Sequence, residues 1–306
     1  MRFCFFRLYC IVFMAWVVSA AVAGAQQMPP AEPPLPLPKA HTEATTLRVT
    51  ANEVLVPTLV EKPGGGVIYG LKQQDFVLED NGVQQKIRVQ EEMDTAPVAL
   101  VGFDSKPHLI RDFTHSSEKV NEDLKHLEPG DGGDAILDSV SYAVDLLESQ
   151  PKEYRRVLLL ISEERDHGSK HTKPAQLIEK IGQSDVLVLS VSFSPARAEL
   201  SHDIKDNGDD RVMNIFSTLA MIIPAFKKNV TKELSHMSGG EYHVFTGEKG
   251  FEKRVVESAQ HARNRYLITF SPSDTTPGLH TIRVRLAEDY GARIVARANY
   301  WMEAEQ

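Results

Sequence analysis

Hydrophobic positions fall into three regimes along the chain. From Leu47 to Val89 they are short and strand-like: Leu47 and Val49, then Val54, Val56 and Leu59-Val60. Pro57 interrupts that run and marks it as an edge strand or a bulge, because proline has no N–H for a sheet ladder. Lys62-Pro63-Gly64-Gly65-Gly66 reads as a turn. Asp75 to Glu79 and Lys86 to Val89 flank Asp80-Asn81-Gly82, the turn chemistry of a β-hairpin.

The middle alternates continuous apolar runs with helical periodicity. Pro97 to Phe103, Val157 to Ile161 and Val186 to Val191 are too short for helices and lack polar alternation, as expected of strands covered on both faces. Between them, Ser116 or Ser117 can cap a helix running to about His126. Asp131-Gly132-Gly133-Asp134 leads into another, with Ile136, Val140, Ala143, Val144 and Leu147 on one face. A third spans Lys173 to Ile181, with Pro174 in its first turn. A polar loop covers residues 194–211. Helices are then expected over 212–223 and 224–237, stopping at Gly239-Gly240, with a short strand at Tyr242 to Phe245 and a helical face of Phe251, Val255, Ala259 and Ala262.

The last part returns to strands, at Tyr266–Phe270, His280–Leu286 and Ile294–Trp301. Neither terminal β segment can bury its own face, since a lone hairpin is marginal in water. The two are therefore expected to pack together as one sandwich-like unit beside an α/β layer.

Composition changes the picture at the N-terminus. Arg2 and Arg7 precede an apolar stretch from Leu8 to Val22 broken by Ser19, and Ala23-Gly24-Ala25 follows, the pattern of a secretory signal cut after Ala25. The stretch is shorter than the 18 or so residues of a membrane span. Cys4 and Cys10 both lie in this leader, so the mature chain is expected to be cysteine-free, without disulfide or thiolate chemistry. Residues 26–45, with Pro29-Pro30 and Pro33-Pro34-Leu35-Pro36-Leu37-Pro38, have a spacer's composition. A net charge of −8 with no basic block argues against nucleic acid as a partner. The expected partner is an unknown extracytoplasmic protein.

Ligands of open α/β sheets bind beyond the carboxyl ends of the strands. The residues there are Asp104 and Ser105 after one apolar run, Asp134 before a helix, and Ser162, Glu163, Glu164 and Asp166 after another. They form a candidate binding rim. A solvated acidic border, with Asp134 capping its helix, is the plainer account. Asp203 to Asp210 fails the spacing of a calcium loop, and His167 and His171 sit in a loop close to Pro174 rather than on a zinc-binding helix. No nucleophile elbow, phosphate loop or dinucleotide fingerprint is present, and no catalytic residue is assigned.

Several stretches carry a resemblance. These are Gly70-Leu71, Asp75-Phe76, Glu79 to Gly82, Gly102 to Ser105, Leu109 to Thr114, Gly132 to Val140, Tyr266 to Ile268 and Ala296 to Trp301. In this order they resemble the secreted VWFA-related domain family of acidobacterial type. That resemblance implies a von Willebrand factor A-like α/β fold, with a mostly parallel sheet between helices, and a divalent metal held by Asp-x-Ser-x-Ser, a Thr and an Asp. Here no Asp-x-Ser-x-Ser follows the first strand, Asp94-Thr95-Ala96 precedes Pro97, and Asp134 stands where the Thr would be. The remaining metal candidates are Asp104, Asp134 and Glu163, which would take Mg²⁺ or Ca²⁺ through oxygen. With those serines missing, the expectation is no cofactor.

Pro97 to Ser105 also leaves no room for the helix between the first two core strands, so the sheet is expected to lack one strand-helix unit. The domain reading is a signal at 1–25, a spacer at 26–45, a β unit at 46–93, an α/β domain at 94–265 and closing strands at 266–306. The functional expectation is an exported, non-enzymatic protein-interaction module of adhesion or scaffold type, without a working metal site. The alternatives are a hydrolase using paired carboxylates such as Glu163 and Asp134, or a degenerate, poorly folding remnant.

Overall fold

The structure is a computed structural model that describes residues 53–63, 66–91, 97–152, 154–193, 219–288 and 290–304. These all belong to one compact unit spanning residues 37–306. The expected leader, the spacer, Leu47, Val49, Asp94 to Ala96 and the 194–211 loop lie outside the described residues.

Two four-stranded sheets are built from both ends of the chain. From the first part come β1 (Val54–Glu61), β2 (Phe76–Asp80), β3 (Val83–Gln84) and β4 (Ile87–Glu91). From the last come β10 (Tyr266–Phe270), β11 (Gly278–Leu286), β12 (Arg293–Ala296) and β13 (Asn299–Met302). The strand orders are β12-β1-β10-β4 and β13-β11-β2-β3, and every pairing is antiparallel. Alternate side chains from both sheets, among them Val56, Val60, Leu78, Ile268, Phe270, Ile282 and Tyr300, form one apolar cluster.

Three expectations change here. Pro57 lies in an inner strand, but β12 pairs with β1 only from Thr58 onward, so at Pro57 the strand has a neighbour on one side alone. The Asn81-Gly82 turn forms, with both residues at positive φ, yet it joins β2 to the two-residue β3. Lys86 to Val89 is not its second arm, because β4 pairs with β10 in the other sheet. The run from Ile294 to Trp301 breaks into β12 and β13. Arg297 turns inward at the break and donates to the carbonyls of Asn299, Leu55, Ile181 and Gly182. One buried guanidinium thus satisfies backbone groups exposed where the chain crosses between sheets.

The middle of the chain supplies β5 (Val98–Phe103), β6 (Pro107–Thr114), α1 (Ser117–Lys125), α2 (Ile136–Glu148), β7 (Val157–Ser162), α3 (Pro174–Gln183) and β8 (Leu187–Phe193). After the undescribed segment come α4 (Leu219–Lys228), α5 (Val230–Ser238), β9 (Tyr242–Phe245) and α6 (Glu248–Arg263). Strands β7, β8 and β9 form a parallel sheet in that order. Leu160, Val186 and Val188 pack with residues of α2, α3, α4 and α5 in the second apolar cluster. Leu187, Leu189 and Val191 point to the other face, as strand alternation requires, and α6 packs on β8 and β9. Gly239 ends α5 in the left-handed conformation, and a side chain on Gly240 would run into the Val188 carbonyl.

Neither Val157–Ile161 nor Pro97–Phe103 is covered on both faces. Leu159 and Ile161 in β7 are 37% and 43% exposed, and Val98 in β5 is 52% exposed. Among the described residues β7 pairs with β8 alone, while β5 pairs antiparallel with β6 in a separate hairpin. That hairpin rests on α1 and α2. A strand becomes doubly buried only when it has neighbours on both edges and helices on both faces, and β7 has half of that set.

Candidate functional site

The candidate rim residues gather around the start of α2. Its N-cap is Ala135, not Asp134, and no side chain caps it from that position. The loop after β7 satisfies the first-turn amides instead. Asp166 Oδ1 accepts from the Leu137 N–H at 3.1 Å, and Ser169 Oγ accepts from the Asp138 N–H at 3.0 Å. Asp138 in return accepts the N–H groups of Lys170, His171 and Thr172, and these bonds hold its carboxyl below the ordinary range against the effect of burial. The Ala135 N–H donates to the Asp104 carbonyl, and the His167 N–H to the Asp134 carbonyl. Asp104, Asp134 and the 163–168 loop therefore meet at the start of α2.

Within that border the acids are unequal. Asp104 Oδ1 accepts from the Lys106 N–H across the β5–β6 turn. The Ser105 hydroxyl and N–H both donate to Asp131, whose carboxyl is held low by Ser105 and the Gly133 N–H. Ser162 Oγ donates to the Glu163 carbonyl. Glu164 Oε1 accepts from the Tyr242 hydroxyl at 2.6 Å, and its carbonyl from Val230 N–H, so Glu164 ties β7 to β9 and α5. Glu163 is exposed.

Asp134 is the strained member. Its carboxyl is pushed up to about 6, first by burial, then by the charges of Glu163 and Asp166. Its Oδ2 is buried without a hydrogen-bond partner among the described residues. These residues do not fit a Mg²⁺ or Ca²⁺ site. Asp104, Asp131 and Asp166 spend oxygens on backbone and hydroxyl donors, and burial raises the Asp134 carboxyl to about 6, against the charged form that a cation needs. Among the described residues, the group of three His, Asp or Glu side chains whose ligand atoms lie within 4.8 Å of one another is Glu61, Glu241 and His261. Asp104, Asp134 and Glu163 are not brought together in that way.

That second cluster lies where the two-sheet unit meets the α/β layer, and the sequence reading missed all of it. Glu61 ends β1, Glu241 precedes β9, His261 lies in the last turn of α6, and Arg265 directly precedes β10. His261 Nδ1 is 3.0 Å from both Glu241 oxygens, and Arg265 Nη2 donates to Glu241 Oε2 at 3.1 Å. Burial raises the Glu61 carboxyl, with the Glu241 charge adding to it. Burial acts on Glu241 in the same sense, but the His261 hydrogen bond and the Arg265 charge override it and hold Glu241 low. Burial brings the Arg265 guanidinium down to about 10. Chain-local patterns do not reveal such residues, because a buried charged group reads in sequence like a solvated one.

Comparison with known proteins gives two findings. The sequence profile of the von Willebrand factor type A domain matches residues 69–165. The chain also aligns with the crystal structure of an uncharacterized membrane spanning protein from Vibrio fischeri, at 14% identity and a TM-score of 0.22, over 54% of this chain and 74% of that one. A superposition that loose establishes no shared fold. No curated protein matches the chain. No helix among the described residues is long and apolar enough to cross a membrane. The mixed α/β architecture agrees with the profile match, and this chain carries a von Willebrand factor type A-related domain.

Proposed function

We propose that this chain is an exported protein-interaction module that captures its partner without a metal and without catalysis, at the open side of β7 and the acidic rim beyond it. The observation that carries the reading is the exposure of Leu159 and Ile161 on a strand whose outer edge is unpaired among the described residues. An open apolar strand edge is a template for another chain, and soluble proteins normally blunt or cover it. The short spacing between Pro97 and Ser105 supports a lost strand-helix unit as the origin of that opening. Glu163 stands exposed at the end of the strand, where a basic partner segment would meet it. The leader's composition favours export.

A photo-crosslinking residue at Ile161 should yield a discrete adduct with a partner from the extracytoplasmic fraction, and one at buried Leu189 should not. Leu159→Lys and Glu163→Lys, with unchanged circular dichroism, should abolish that adduct. An adduct indifferent to both substitutions would move the interaction elsewhere. A second reading draws on Asp134, whose carboxyl beside Glu163 is raised toward the range in which a carboxyl can exchange a proton near neutral pH. A hydrolytic activity lost in Glu163→Gln would favour it over the interaction reading.

A further inference from the structure

We infer that the buried seam between the two-sheet unit and the α/β layer is a transition-metal site, in which His261 and Glu61 bind a divalent ion of the zinc class and Glu241 orients the imidazole. The site is independent of the rim and of the interaction reading above.

Three features converge on it. The first is aim. His261 Nδ1 faces the Glu241 carboxylate at 3.0 Å, which leaves Nε2 directed at Glu61 Oε1. Metal-binding histidines are held in this manner, with one ring nitrogen on a carboxylate and the other on the ion. The second is spacing. Nε2 and Glu61 Oε1 stand 3.6 Å apart, beyond hydrogen-bonding distance. Two ligands with bonds of about 2.0–2.2 Å to one tetrahedral ion lie roughly 3.3–3.5 Å apart, so a small closure brings both onto a shared centre. The third is charge. Glu61, Glu241 and His261 are 3%, 3% and 5% exposed. Arg265 balances Glu241. Around Glu61 stand the imidazole, Arg265 and Arg293, the last at 3.4 Å and itself 55% exposed along its side chain, and together they do not offset the burial that raises its carboxyl. A buried carboxylate short of compensation is where a cation gains most.

The donor set selects the class of ion. One imidazole nitrogen with carboxylate oxygens suits Zn²⁺, and Co²⁺ as its spectroscopic stand-in, over the all-oxygen octahedron of Mg²⁺. His243 Nε2 lies 3.8 Å from Glu241 Oε1 and adds a second imidazole to the surroundings. Access exists as well. His261 lines an open groove along α6 together with Lys249, Glu252, Lys253, Val256, Glu257 and Gln260. Because the ligands come from β1 and α6, a bound ion would staple one end of the chain to the α/β layer.

The test uses the untagged mature chain, stripped with a chelator and titrated calorimetrically with Zn²⁺, with Mg²⁺ as the control. One Zn²⁺ should bind per chain and raise the melting temperature, Co²⁺ should give visible absorption of a nitrogen-containing site, and Mg²⁺ should do neither. His261→Gln and Glu61→Gln should each weaken Zn²⁺ binding at least tenfold, and Glu241→Gln about 10–100-fold. Glu163→Gln at the rim should leave it unchanged. In the wild-type chain, Co²⁺ should also shift the His261 imidazole resonances paramagnetically, read by NMR, so the test survives any variant that does not fold. Absence of Zn²⁺ binding to the wild-type chain overturns the inference. So does binding that persists in His261→Gln and Glu61→Gln, binding that is lost in Glu163→Gln, or His261 resonances that Co²⁺ leaves unshifted.

Discussion

The two-sheet unit and the parallel sheet treat their strands in opposite ways. In the first, β1 and β10 are flanked on both sides, and their inward side chains are closed off by the facing sheet. In the second, β8 is buried along six of its seven residues, while its neighbour β7, of similar composition, exposes Leu159 and Ile161. Burial is therefore a property of a strand's neighbours rather than of its own residues. The sheets assembled from both chain ends close their inner faces against each other, whereas the parallel sheet leaves apolar side chains of its edge strand β7 exposed.

The seam joining these regions should show the largest effect when broken. Arg265→Ala strands Glu241 beside Glu61 in the interior and should cost about 3–5 kcal/mol, read from urea denaturation. An unchanged midpoint would mean that the closed and open regions are not coupled there.

The contrast between strands can be measured directly. Leu189→Ala in β8, at 1% exposure, should cost about 2–5 kcal/mol, and Leu159→Ala in β7 no more than about 1 kcal/mol. Equal costs would show that β7 is covered in solution. A single cooperative melt is expected for the purified chain, and a broad one would favour the poorly folding remnant.

Next in size is Asp134. Its carboxyl rises from an ordinary 3.8 to about 6 in the folded chain, so between those values the folded state holds a proton that the unfolded state has released. Stability from this group is full below pH 4 and is lost as pH rises through 6. The full shift corresponds to about 3 kcal/mol, reduced by solvent to roughly 1–2 kcal/mol for a half-buried side chain. Asp134→Asn should therefore stabilise the protein by that amount at pH 7.5 and flatten the pH dependence of the melting temperature between pH 4 and 6.

The smallest change is Tyr242→Phe. It removes the hydroxyl that Glu164 accepts and should cost about 0.5–1.5 kcal/mol by thermal melting.

Much of the rim was legible because it follows a local rule. Asp104, Glu163 and Asp166 come just after apolar runs, and strand ends of one α/β layer face one border. Their separate duties were not legible. Asp166 caps α2 and Glu164 holds Tyr242 because of where the 163–173 loop settles, which no spacing in the sequence encodes.

By itself the sequence determined most strands and helices among the described residues, the Asn81-Gly82 turn and the end of α5 at Gly239, because hydrophobic period and backbone conformational preference act over a few residues; the helix break expected at Pro224 falls instead at Asn229, with Pro224 inside α4. Only the tertiary structure decided that β7 keeps an open side, that Arg297 divides the last strand run, and that Glu61, Glu241, His261 and Arg265 meet. Those outcomes depend on strand pairing and helix placement between residues distant in the chain, where the energy lies in contacts rather than in local pattern.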